Sequence, residues 1–199
     1  MKYLKMMGLA AIAALGLLAF VGAGTASATT LFTDEAKTIA YPKGTTLHAT
    51  LAPGSTATLT SGENTIATCT GSTVHGTTSS LSGERVPGTI SSLTWEGCNQ
   101  TTHTETTGSL EIEYISGSKP TSGTVFGKGS KVKLTIFGTT CAYGTGEGTH
   151  LGTLTGGTTP HLTITTTLPR VTGGFLCPST GIWHATYVVT SPHALFPGA

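Results

Sequence analysis

Apolar and polar residues alternate with a period of two along most of this chain. The cleanest run is Lys131-Val132-Lys133-Leu134-Thr135-Ile136-Phe137. Val132, Leu134 and Ile136 share one face, and Lys131, Lys133 and Thr135 share the other. One dry and one wet face at period two marks a half-buried antiparallel strand. The same pattern recurs in Leu47 to Leu51, in Gly88 to Cys98 with Leu93 and Trp95 inward, and in Gly108 to Ile115 with Leu110, Ile112 and Tyr114 inward. It recurs again in His161 to Leu168, and in Trp183 to Val189 with Trp183, Ala185, Tyr187 and Val189 on one face. Turn signals separate these runs: Pro53-Gly54, Ser61-Gly62-Glu63-Asn64, Pro87-Gly88, Gly127-Lys128-Gly129-Ser130 and Gly156-Gly157. The run Thr65 to Thr78 holds Gly71 and Gly76, which read as bulges or close backbone approaches.

Nine or ten short strands at this spacing predict an all-β domain. An antiparallel β-sandwich is the first expectation and a closed β-barrel the alternative. The expected domain covers residues 44–199, after a lead-in at 29–43 in which Leu31 and Phe32 could dock on the body. The polar stretch Asn99 to Thr107 is expected to be a loop, and the last nine residues a strand fading out.

The first 28 residues read as a signal peptide, with Lys2 and Lys5 ahead of the apolar run Leu9 to Val21 and an Ala26-Ser27-Ala28 cleavage site. Beyond residue 28 there are eight basic and nine acidic residues, so no positive field exists to attract nucleic acid or an anionic membrane. No membrane span is expected after cleavage. Threonine takes the place of charge, with 42 copies from residue 29 onward. Its branched carbon suits a pleated surface and its hydroxyl keeps that surface wet.

Four cysteines lie in the exported region: Cys69, Cys98, Cys141 and Cys177. An even count in an exported chain implies disulfides. Of the three connectivities, the sequential one, Cys69–Cys98 and Cys141–Cys177, is favoured because each pair flanks a hairpin or meander.

Catalytic constellations are missing. Asp34 is the single aspartate and lies in the lead-in, so a Ser-His-Asp triad would depend on it. There is no G-x-S-x-G, H-E-x-x-H, P-loop or dinucleotide fingerprint. Glu111 and Glu113 point the same way on one strand face, as acid/base or Ca²⁺-binding pairs do, but a solvated strand face is the commoner meaning. His161 and His184 sit on outward faces of neighbouring strands. With His150 they are the one histidine grouping to weigh as a metal site, yet no H-x-H or H-x-x-x-H spacing supports it. No catalytic residue, metal or cofactor is expected. Trp95 and Trp183 alternate in phase with apolar neighbours and are expected in the core. Tyr143 is the aromatic expected at the surface, in a glycine-rich candidate ligand loop made of Tyr143, Gly144, Gly146 and Glu147.

Cys141-Ala142-Tyr143-Gly144-Thr145-Gly146, Gly152-Thr153-Leu154-Thr155-Gly156-Gly157, Leu176-Cys177-Pro178 and Trp183 to Pro192 resemble uncharacterised secreted Thr/Gly-rich four-cysteine proteins of high-GC Gram-positive bacteria. A fainter likeness to alkane-oxidation activator proteins rests on the Cys69 to Val74 spacing, here one residue shorter, and on the Gly/Thr-rich strands. The resemblance implies an exported β-sandwich and supplies no catalytic residues. The function expected is a non-enzymatic domain, secreted or at the cell surface, in structure, adhesion or ligand binding, with a cell-surface glycan or envelope component as its partner. The alternatives are a carbohydrate- or hydrophobic-ligand-binding module and, less favoured, a secreted hydrolase.

Overall fold

A computed structural model describes residues 28–136 and 138–199. The signal-peptide reading falls almost wholly outside them. The strands, in chain order, are β1 (Thr29–Phe32), β2 (Thr46–Leu51), β3 (Ala57–Ser61), β4 (Asn64–Thr78), β5 (Ser82–Gly83), β6 (Val86–Cys98), β7 (Thr102–Thr106) and β8 (Ser109–Ile115). They continue with β9 (Ser122–Lys128), β10 (Lys131–Ile136), β11 (Thr139–Gly144), β12 (Thr149–Thr155), β13 (His161–Thr172), β14 (Thr180–Ser191) and β15 (Phe196–Gly198).

Of the two architectures the sequence leaves open, the barrel forms. The hydrogen-bonded ring runs β4-β6-β8-β9-β12-β13-β14-β2 and back to β4, all antiparallel. Closure leaves no free edge in that ring, whereas a sandwich would leave four. One close backbone approach shows how the strands are made to fit. The β4–β6 register shifts between His75 and Gly76, and a Cβ on Gly76 would lie 2.5 Å from the Thr89 carbonyl oxygen. Only glycine fits there, as the sequence reading of Gly76 anticipates.

The four longest strands, β4, β6, β13 and β14, make the barrel two storeys deep. In the first storey β8, β9 and β12 fill the space between β6 and β13. In the second, β11, β10 and β7 lead away from β13 toward the far half of β6. On the opposite wall β2 and β3 lie end to end between β14 and β4, interrupted at residues 52–56.

Each storey has its own core. The first includes Leu51, Ile112, Val125, Leu154, Ile164 and Tyr187, and the second includes Ile66, Leu134, Ile136, Cys141, Tyr143 and Leu168. Trp183 packs against both. Strand β13 shows how so threonine-rich a chain achieves this. Its buried positions are Leu162, Ile164, Thr166 and Leu168, with exposed threonines between them. Thr166, the one polar residue among the four, donates its hydroxyl to the His150 carbonyl at 2.7 Å, so its burial leaves no unmet hydrogen bond.

Two segments differ from expectation, and a third, the lead-in, docks through Leu31 as expected and forms a strand besides. The lead-in supplies β1, which pairs with β15 and β5 in a small second sheet and buries Leu31 in the first core. The C-terminal residues do not fade out, since all of β15 is buried. The stretch Asn99 to Thr107 contains β7, which shows no apolar alternation because its Thr102, Thr104 and Thr106 alternate with His103 and Glu105. Both disulfides have the expected sequential pairing. Cys69 and Cys98 stand directly opposite each other on β4 and β6. Cys141 on β11 ties down the connection between β13 and β14 through Cys177.

Candidate functional site

The inward faces of these strands enclose a lumen that side chains do not completely fill. Three apolar cavities follow one another through it. The largest, about 80 Å³, is walled by residues including Ala49, Val74, Leu110, Ile112, Leu162 and Val189. A second, about 40 Å³, shares Val74, Leu110 and Leu162 with the first and reaches Trp183 and Tyr143. A third, also about 40 Å³, lies among Trp95, Trp183, Leu134, Tyr143 and Leu168. The exposed lining of the first is nearly all carbon, and no Lys, Arg, Asp or Glu side chain lines any of the three. A water needs only about 10–15 Å³ of such space, but it also needs two to four polar partners, and these walls do not offer them. The chemistry of the lumen therefore favours a hydrocarbon surface over water.

Four aromatic side chains stand around this lumen: Tyr187, Trp95, Trp183 and Tyr143. Tyr187, fully buried, donates its hydroxyl to Ser72 Oγ at 3.0 Å, and Ser72 donates onward to the Thr94 carbonyl at 2.9 Å. This chain reaches β4 between the rungs taken by β2 and β3, where the broken strand leaves room. Burial pushes the Tyr187 hydroxyl up to about 12. Trp95 and Trp183 meet edge to face with ring centroids 5.6 Å apart, a favoured aromatic geometry. Both are half-buried and packed on the core.

Tyr143 corrects an expectation. It is 1% exposed, lines two of the cavities and donates its hydroxyl to the Pro178 carbonyl at 3.0 Å. Its neighbour Gly144 ends β11 and is buried too. The candidate ligand loop is thus split. Gly146 and Glu147 are at the surface, where Lys128 Nζ meets Glu147 Oε1 at 2.6 Å and that ion pair holds the carboxyl below its usual range. The loop was misread because its glycines, Gly144, Gly146 and Gly148, begin only where β11 ends, and the hairpin partner Lys131–Ile136 holds Tyr143 and Gly144 in register as strand.

Glu111 and Glu113 do point the same way, and Arg85 occupies both. Its Nη1 lies 3.4 Å from Glu111 Oε2 and its Nε 2.9 Å from Glu113 Oε2, with the guanidinium 3.7 Å from the Phe126 ring centroid. These bonds, the one to Glu113 above all, raise the arginine further above its usual range. Both carboxylates thus share one guanidinium, which compensates half of their charge. His161 pairs with Val188 while His184 pairs with Thr165, four rungs away, or about 13 Å at 3.3 Å per residue. His150 stands on β12 against Phe126. The three histidines do not converge, and no group of three or more His, Cys, Asp or Glu side chains suited to a metal occurs among the described residues.

The histidines that do meet are His48 and His75. They sit opposite each other on β2 and β4 with rings stacked 4.1 Å apart, and His48 stands in the wall of the first apolar cavity. Sequence reasoning missed this pair because the two strands are joined through a connection with a break in it. It also missed Phe175, which stands 94% exposed on the loop that the Cys141–Cys177 bridge anchors. Flanking Gly173-Gly174 and Cys177-Pro178 were the available signal. One exposed ring does not make a sugar-stacking platform.

No protein-family model, curated protein or solved structure matches this chain. Fold and site alone define its class: a disulfide-bonded, threonine-surfaced, closed antiparallel β-barrel with an apolar lumen. Its two disulfides suit an oxidising compartment. Among the described residues no helix is long and apolar enough to cross a membrane.

Proposed function

We propose that the protein is a non-enzymatic carrier or binding protein, secreted or at the cell surface, that takes a small apolar molecule into its barrel. The observation that supports this reading best is the lumen, whose consecutive cavities have hydrocarbon walls and no charged lining. Eight strands are the number at which a barrel is either just filled by side chains or holds one small ligand. Well-packed interiors leave few voids larger than a water molecule, and this one has three in series. The signal-peptide pattern, the paired cysteines and the likeness to secreted Thr/Gly-rich proteins support action outside the cell. The dispersal of His150, His161 and His184 and the engagement of both Glu111 and Glu113 by Arg85 support a binding role over hydrolysis. The carbohydrate alternative is weaker, because Tyr143 is buried and both tryptophans pack on the core.

The test is a titration of the mature protein with ethylbenzene, followed by the shift in melting temperature and by methyl NMR. A ligand that binds only the native state raises the melting temperature with its concentration, and the shifted methyls should be those of Leu110, Leu162 and Val189. Ala49→Leu, which fills the first of the three apolar cavities, should abolish those shifts. Failure of ethylbenzene and of other small neutral hydrocarbons to bind would overturn the proposal.

A further inference from the structure

The indole N–H of Trp183 is buried and has no hydrogen-bond partner. Trp183 also lines the two cavities on either side of it. Those two facts belong together. A buried donor without an acceptor is costly, and native structures rarely leave one unless something absent completes it. The contrast with its neighbour is direct. Trp95, in edge contact with Trp183, has its own N–H bonded to Thr104 Oγ1 at 3.0 Å. The two tyrosine hydroxyls of this region are likewise engaged: Tyr143 on Pro178, Tyr187 on Ser72. Trp183 thus carries the one unspent donor on the lumen's aromatic wall among the described residues.

We infer that the ligand is a neutral, mostly hydrocarbon molecule with a single carbonyl or ether oxygen, which accepts the Trp183 N–H. This rests on the apolar-carrier reading and narrows it. A pure hydrocarbon would leave the donor unmet. A carboxylate or ammonium would be buried against walls that offer no countercharge, and desolvating an unpaired charge is prohibitive. One oxygen on a hydrocarbon body satisfies the donor and keeps every other contact apolar.

Acetophenone and ethylbenzene test this, because they share a skeleton and differ by a carbonyl in place of a methylene. Their dissociation constants are measured on the wild-type protein and on Trp183→Phe, which keeps an aromatic wall and removes the donor. Loss of one hydrogen bond of ordinary worth should weaken acetophenone about tenfold more than ethylbenzene. In the wild type, acetophenone should also move the Trp183 Nε1–H resonance downfield, and ethylbenzene should not. Trp95→Phe assigns the two indole signals. If both ligands weaken equally and the Trp183 Nε1–H signal ignores the ketone, the acceptor inference is wrong while the apolar-carrier proposal stands. If neither ligand binds, both fall. The resonance is read on the wild-type protein, so the inference remains open to refutation even if Trp183→Phe does not fold.

Discussion

The indole N–H of Trp95 on β6 donates to the Thr104 hydroxyl on β7 at 3.0 Å, and that hydroxyl donates back to the Leu93 carbonyl on β6 at 2.7 Å. This matters because no backbone ladder joins β6 to β7 among the described residues. Beyond Thr89, β6 parts from β8, and in the second storey it faces β7 across a seam that side chains bridge. The other edge of β7 is secured by its ladder to β10 and by Lys133 Nζ on Glu105 Oε1 at 3.1 Å. The seam stands beside the cavity lined by Trp95 and Thr102.

Replacing Thr104 by valine keeps the shape and removes both bonds. The Trp95 donor and the Leu93 acceptor are then left unmet, which should cost about 1–3 kcal/mol. Urea unfolding measures the loss. Native-state hydrogen exchange should show β7 amides opening well before those of β4, because the β6 side of β7 has no ladder. Equal protection of β7 and β4 would refute the seam.

The two disulfides should contribute similar amounts through the unfolded chain. They span 29 and 36 residues, and closing loops of that size is worth about 3.5 kcal/mol each in the chain-entropy account. Their local effects should differ. Cys69 and Cys98 join strands already paired along nine rungs, so Cys69→Ala/Cys98→Ala should lower the melting temperature without altering the native β4–β6 amide spectrum. Cys177 instead anchors the loop carrying Phe175, with Arg170 Nη1 bonding the carbonyls of Gly174 and Cys177. Cys141→Ala/Cys177→Ala should therefore raise protease sensitivity at Phe175, and unchanged cleavage there would sink this assignment. Peptide mapping without reduction checks the pairing itself.

Strand positions and cysteine pairing were legible because each is a local signal. Val132, Leu134 and Ile136 need only period two, and Cys69 and Cys98 need only two flanking strands. What was not legible depends on contacts far apart in sequence. Whether the sheet closes is decided by β14 meeting β2, residues some 140 positions apart, and alternation is the same in a sandwich and in a barrel. Tyr143 was misplaced because Gly144, Gly146 and Gly148 follow it at once, so the end of a strand read as the start of a loop. The lumen was invisible for a further reason: a cavity is a shortage of volume across facing strands, and no single strand records it. Trp183 was correctly placed on the inward face, but a missing acceptor is a property of everything around it.

The stacked His48–His75 pair makes stability fall toward acid. Burial, and then the neighbouring His75, hold His48 below its ordinary value of 6.5. His48 Nδ1 also meets Thr190 Oγ1 at 2.6 Å. The unfolded chain then takes up this proton more readily than the folded one, so unfolding free energy rises with pH through this range. Stability should be full above about pH 7 and decline as pH drops below 6.5. His75→Gln removes the second cause and leaves the first, so the acid decline should become shallower without vanishing. Denaturant midpoints between pH 5 and 8 decide it, and an unchanged slope in the variant would show that the pair is not coupled.

Tyr187 supplies the opposite limb. Its hydroxyl is pushed up to about 12 by burial, partly offset by the bond to Ser72, against about 10 in an unfolded chain. Between those values the unfolded chain has released a proton that the folded barrel retains. Stability is therefore intact below pH 10 and is lost as pH rises toward 12, by roughly 2–3 kcal/mol from this residue at 1.36 kcal/mol per unit. Tyr41 and Tyr143 are also raised by burial, so the residue must be isolated by Tyr187→Phe. That variant loses one hydrogen bond, while Ser72 keeps its bond to the Thr94 carbonyl. It should be about 1 kcal/mol less stable at pH 7, and yet lose less than the wild type between pH 10 and 12. The two unfolding curves should converge or cross in strong base. Parallel curves would mean that the Tyr187 hydroxyl is not the group held neutral inside the barrel.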